Sequence, residues 1–168
     1  MTDKFEIIYK TYYSILRNTV ENIIDDKDAS HDVVQEVFLK LWDKKDELDL
    51  ILHLKAYLFK SAINASITYL ENNKKSVRLS DIKMEFSTSE NSTIYTKELE
   101  IKIQLALDKL PPKCRAIFVL CRFENMKYKE VAQYLGVSLK TIENQMGIAL
   151  KRLRNDLKPY LAKENVSS

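Results

Sequence analysis

The stretch Tyr128–Arg154, YKEVAQYLGVSLKTIENQMGIALKRLR, leaves little freedom in how it folds. Val131, Ala132 and Leu135 stand at i, i+1 and i+4, which predicts a first helix with a short apolar stripe. Ala132 lets a second helix approach that stripe, since a larger side chain would hold the backbones apart. Gly136 follows where a left-handed residue is needed to end the helix, a conformation glycine adopts without a Cβ penalty. Ser138 is placed to N-cap the next helix, with apolar Val137 before it. Beyond it, at about 100° per residue, Leu139, Ile142, Met146, Ala149, Leu150 and Leu153 gather on one side. Two helices joined by so short a turn make a helix-turn-helix, whose second helix can lie in a DNA major groove.

The opposite side of that second helix carries Lys140, Asn144, Gly147 and Lys151, flanked by Thr141, Ile148, Arg152 and Asn155. Lysines near both ends suit phosphates, and an amide between them suits a base edge. Gly147 costs about 1 kcal/mol relative to Ala inside a helix, so its place on the outward stripe suggests a close approach by another molecule. Any amphipathic helix has a solvated polar face. The turn chemistry, rather than the lysines, therefore carries the DNA-binding reading.

The rest of the chain is predicted to be helical as well. Two glycines and three prolines in 168 residues leave few tight turns. No apolar run approaches the ~20 residues that span a bilayer. The first residues, MTDKFEIIYK, lack a basic segment followed by an apolar one, so a cytoplasmic protein without membrane insertion is expected. Cys114 and Cys121 lie seven residues apart in one predicted helix, their α-carbons ~10 Å apart, too far for a disulfide. The two histidines, His31 and His53, are remote in sequence, and packing is the default role of both thiols. With no phosphate loop, no recognisable Ser/His/Asp set and no clear carboxylate pair, neither enzymatic chemistry nor a metal or other cofactor is expected.

Charge is uneven along the chain. Residues 1–70 carry 9 basic and 12 acidic side chains, a net −3, whereas residues 98–168 carry 13 and 8, a net +5. The basic excess falls where phosphate binding requires it.

The N-terminal part reads as consecutive helices from about Phe5 to Asn73. Ile8, Tyr12, Ile15, Leu16, Val20 and Ile23 recur at helical spacing until DDKDAS (Asp25–Ser30) breaks the pattern. SHDVVQEVFLKLW follows, with Ser30 expected as its N-cap. DKKDELDLIL is a charged connector, and a third helix is expected from about His53 to Leu70. Residues 72–97 have sparse apolar residues and no period, the composition of a flexible linker, with VRLSDI a candidate docking segment. Periodicity returns from Glu98, and Pro111-Pro112 stops one helix and starts the next. The expected fold is all-α: a helical domain over residues 1–75, a flexible linker over 76–97 and a second helical domain over 98–168 containing the helix-turn-helix.

In the second helix, Val33, Val34, Val37, Phe38, Leu41 and Trp42 form a broad buried face. Gln35, Glu36, Leu39, Lys40 and Asp43 form the other. One leucine framed by polar residues is either an ordinary surface leucine or the centre of a small protein interface.

These segments together resemble the sigma-70 family, specifically its small extracytoplasmic-function sigma factors. DVVQEVFLKLW (32–42) looks like the helix with which that family binds the polymerase clamp. KAYLFKSAINASITYL (55–70) is similar to its −10 recognition segment, and residues 110–146 to its −35-reading domain. The resemblance spans nearly the whole chain in the family's order. It implies contacts from Asp32, Gln35, Glu36, Leu39 and Lys40 to the β′ coiled coil of core RNA polymerase. It implies −10 strand contacts from Lys55, Lys60 and Asn64, with Tyr57, Phe59 and Tyr69 either stacking on bases or packed in the core. For the −35 duplex it implies Lys140, Thr141, Glu143, Asn144 and Ile148 near bases and Lys151 and Arg152 on phosphates. Many relatives have basic residues near positions 143 and 148, where this chain has glutamate and isoleucine, which suggests a different −35 preference. An anti-sigma factor, often membrane-anchored in this family, is a further expected partner. Two rivals stand beside this reading: a stand-alone regulator with a similar C-terminal motif, and an adapter that mimics sigma surfaces without initiating transcription.

Overall fold

The computed structural model of the chain describes residues 3–73 and 94–164, and every regular element in them is a helix. α1 (Lys4–Ile24) starts at Asp3, whose carboxylate accepts from the Phe5 amide at 3.2 Å. It ends at Asp25, in the left-handed region at φ 54°, where the cap amide reaches the Glu21 carbonyl. Aspartate is among the few side chains that tolerate this region.

α2 (Lys27–Asp43) begins earlier than expected. Its N-cap is Asp26, which accepts from the Ala29 amide at 2.9 Å, and not Ser30. Ser30 is buried inside the helix, where its hydroxyl bonds back to the Asp26 carbonyl and so needs no cap role. The break between the helices is thus the aspartate pair 25–26 alone. A 3₁₀ helix (Lys45–Leu50) then leads into α3 (Leu54–Asn72).

Leu16, Val20 and Ile23 of α1, Val34, Phe38 and Leu41 of α2, and Leu58, Ala62 and Ile63 of α3 pack together as the N-terminal core. Two residues placed there by periodicity lie outside it. Ile15 is 48% exposed, and Trp42 is 41% exposed, its ring edge-on to Phe5 with the Lys45 ammonium 4.3 Å above its centroid.

The second unit holds α4 (Ile94–Asp108), α5 (Pro112–Arg122), α6 (Tyr128–Leu135) and α7 (Leu139–Glu164). α4 starts inside the stretch expected as linker, so Ile94–Lys97 are helical; VRLSDI lies outside the described residues. Pro112 occupies the first position of α5, where its missing N–H costs nothing. Gly136 ends α6 at φ 65°, and Ser138 Oγ accepts from the Thr141 amide at 3.1 Å. Ile142, Met146, Ala149 and Leu153 of α7 are buried. Leu139 is not; as the first residue of the helix it lies at the edge of the packed stripe, 39% exposed. α7 runs through Pro159, and the hydroxyl of Tyr160 donates to Glu98 of α4 at 3.1 Å.

The two units pack against each other: α3 lies on α5 and α6, and α1 lies on α5. One apolar cluster runs from Leu16 and Val20 through Leu58 and Ile63 to Ile117, Leu120, Val131 and Ile142. A smaller one, with Leu107, Leu110, Cys114 and Leu153, ties α4 to the rest of the second unit. Polar groups also join the units. Arg115 Nε donates to the Ile23 carbonyl at 2.7 Å, its Nη1 pairs with Asp108, and Glu124 accepts from Thr19 and Asn22. Among the described residues no helix is long and apolar enough to cross a membrane.

Candidate nucleic-acid interface and a second helical face

The helix-turn-helix places its outward stripe as its phasing predicts. Lys140, Asn144, Gly147 and Lys151 are exposed, and so are Glu143, Ile148 and Arg152. Thr141 is half-buried, its hydroxyl 2.9 Å from Ser138 Oγ, which fixes the first turn of α7. Lys140 and Lys151 are separated by ~16 Å along the axis at 1.5 Å per residue. A Cβ added at Gly147 meets nothing within 4 Å. No packing inside the chain therefore requires glycine there, and the bare backbone faces outward.

Behind this stripe, Cys114 Sγ lies 3.4 Å from the Gln145 carbonyl. Burial pushes its thiol above the ordinary value, more than nearby Arg152 lowers it, and burial raises Cys121 in the same way. Both are therefore neutral packing groups at physiological pH.

On α3, Lys55, Lys60 and Asn64 are all exposed. The aromatics divide. Phe59 is 3% exposed and stacks on Tyr134 of α6, centroids 5.5 Å apart and planes 17° apart, so it belongs to the core in this arrangement. Tyr57 and Tyr69 are half-buried, and the Lys44 ammonium lies 5.5 Å from the Tyr57 ring centroid. Burial raises the Tyr69 phenol above its ordinary value, helped by the charge of Asp26.

The connector before α3 splits its apolar residues between core and solvent. Leu48 is buried, but Leu50 and Leu52 are 77% and 82% exposed just before α3.

α2 presents the second face. Asp32, Glu36, Leu39 and Lys40 are exposed, with Leu39 at 63%. Glu36 and Lys40 form an i,i+4 ion pair at 3.3 Å, the kind of exposed pair that adds little stability. Gln35 is held back, half-buried, with Nε2 donating to the Tyr9 hydroxyl at 2.9 Å. An open groove of about 490 Å³ runs between α2 and α3, lined by Glu36, Lys40, Asn64, Thr68 and Asn72 among others. The fold thus brings part of the α2 face next to one of the α3 candidates, while the α7 stripe stands on the other unit.

Comparison with known proteins gives this geometry a family. Residues 8–76 match the family model for sigma-70 region 2, and residues 100–153 match the one for sigma-70 region 4. Sigma factor SigV of Bacillus subtilis (strain 168) is 26% identical over 143 residues, covering 85% of this chain and 80% of SigV. The extracytoplasmic-function sigma factor SigM of the same organism is 26% identical over 133 residues, 78% of this chain and 81% of SigM. The fold is similar to the sigma factor RpoE of Bartonella quintana, solved in complex with the anti-sigma factor NepR. That structure superposes with a TM-score of 0.63 at 22% identity, covering 94% of this chain and 98% of RpoE. With both helical units matched in order, the chain belongs to the sigma-70 family, as an RNA polymerase sigma factor of the extracytoplasmic-function type.

Proposed function

We propose that this sigma factor divides promoter recognition between its two units, with boundaries near 1–75 and 98–168. The second unit reads the −35 duplex through α7. Lys140, Thr141, Glu143, Asn144 and Ile148 face the bases, and Lys151 and Arg152 hold phosphates. The first unit binds the β′ clamp of core RNA polymerase through Asp32, Gln35, Glu36, Leu39 and Lys40, and engages the −10 strand through Lys55, Lys60 and Asn64. The supporting observation is the exposed stripe of α7, which carries cations at both ends, an amide between them and bare backbone at Gly147, all opposite the buried Ile142, Met146 and Ala149.

The chain acts as an initiation factor without catalysis of its own, in the cytoplasm where polymerase and promoter DNA are. An anti-sigma factor is the expected regulator, as in the RpoE–NepR complex. Glu143 gives the −35 preference a particular direction, since its carboxylate accepts from a cytosine amino group and is repelled by phosphate.

The test is run-off transcription with purified core polymerase and no other sigma factor. Promoter-specific transcripts from core plus this chain are expected, and sequencing their 5′ ends gives the promoter positions. Core enzyme that remains non-specific with saturating folded chain overturns the reading in favour of a regulator or an adapter.

A further inference from the structure

Phe5, Tyr9 and Tyr13 follow one another at four-residue spacing on α1, so they share one face of that helix. The face lies along α2. Tyr9 stacks on Tyr13 with ring centroids 5.0 Å apart, and it meets the ring of buried Phe38 at 4.8 Å. Each of the three also meets a second α2 side chain. Phe5 lies edge-on to Trp42, the Tyr9 hydroxyl accepts from Gln35 Nε2 at 2.9 Å, and the Tyr13 hydroxyl shares a hydrogen bond with His31 Nδ1. At 100° per residue His31, Gln35 and Trp42 fall within about 40° of each other, so they form one edge of α2. Leu39 stands about 40° beyond Gln35 on the exposed side. The face centred on Leu39 is thus bordered by side chains that α1 holds in place.

A glutamine is a long side chain with several soft torsions, and ordering it at an interface costs entropy. Holding it before the partner arrives removes most of that cost. The bond to Tyr9 occupies one amide N–H, and Gln35 makes no other side-chain hydrogen bond among the described residues. Its second N–H and its Oε1 are left for a partner. The Tyr9 ring, packed on Tyr13 and Phe38, gives the hydroxyl a fixed position from which to hold the amide. We infer that Tyr9 is a positioning residue for polymerase binding, which orients the Gln35 amide for a hydrogen bond with the clamp without touching the clamp itself. The inference rests on the proposed binding of the clamp by α2. A hydrogen bond that served the fold alone would matter equally whatever side chain stood at position 35, and this separates the two roles by experiment.

The test is a double-mutant cycle on the full chain, read as affinity for purified core RNA polymerase. Tyr9→Phe keeps the ring and its packing and removes only the hydroxyl that accepts from Gln35. Gln35→Ala is expected to weaken binding about tenfold and Tyr9→Phe about 3- to 5-fold. The double variant is expected to bind no more weakly than Gln35→Ala alone. Tyr9→Phe that binds as wild type, or that weakens binding as much in the Gln35→Ala background as by itself, overturns the proposal. A second measurement needs no variant. In the wild-type chain the NMR order parameter of the Gln35 side-chain amide is expected to exceed that of exposed Gln133, and equal order overturns the proposal. Leu39→Asp separates this inference from the reading beneath it. Weakened binding by Leu39→Asp with full affinity in Gln35→Ala keeps the clamp face and overturns the role of Tyr9. Full affinity in both overturns the clamp face, and the role of Tyr9 with it.

Discussion

Asn144 and Lys151 stand on one exposed stripe of α7 but have different chemistry, and substitution separates their roles. Asn144→Ala is expected to relax discrimination at one position of the −35 element by ~1–3 kcal/mol. Lys151→Ala is expected to weaken binding evenly across sequences and flatten the salt dependence by about one unit of slope. Titrating a panel of single-base duplexes at several salt concentrations checks both, and equal losses on all duplexes from both variants would refute the assignment. Gly147 gives a sharper contrast. With nothing within 4 Å of an added Cβ, Gly147→Ala meets no clash inside the chain and is expected to stabilise α7 by about 1 kcal/mol. If duplex backbone approaches at that point, the same change lowers DNA affinity. Thermal melting that rises while binding falls identifies a glycine kept for clearance. Melting that rises with unchanged binding assigns Gly147 no contact with DNA.

At the scale of the element, α2 has two well-separated faces: a buried one led by Val34, Phe38 and Leu41, and an exposed one centred on Leu39. Because Leu39 is 63% exposed, Leu39→Asp is expected to change stability by no more than ~0.5 kcal/mol. Its affinity for core polymerase is expected to fall by about tenfold or more, as for an apolar anchor at the centre of an interface. Co-purification with core enzyme, alongside the variant's circular dichroism, provides the measurement; full retention of binding removes Leu39 from the interface. This element also shows where sequence reading stopped. Its apolar period identified the buried face, but the N-cap passed to Asp26, because serine and aspartate caps look alike until the following amides are placed. Trp42 obeyed the same period yet reached solvent, because its ring lies edge-on to Phe5 of another helix, which no local pattern encodes.

For the whole molecule, the helix-turn-helix and both helical units were legible because short-range signals such as Gly136, Ser138 and Pro112 specify them. The docking of one unit on the other was not. Arg115, Glu124 and Tyr134 carry no periodic signature, and their partners lie far away in sequence. The apolar cluster nevertheless crosses from Leu58 to Ile117 and Ile142, which predicts shared stability. Leu58→Ala, at a fully buried position, is expected to cost about 2–5 kcal/mol and to lower the melting of both units together. Differential scanning calorimetry that resolves two transitions, with only one of them shifted, would show that the units unfold independently.

The stack of Phe59 on Tyr134 joins two parts of one chain, and that sets how it responds to concentration. A contact between separate molecules is lost on dilution, whereas one within a single chain forms at an effective concentration fixed by the chain itself. The packing of Phe59 on Tyr134 is therefore expected to be the same at nanomolar and micromolar protein.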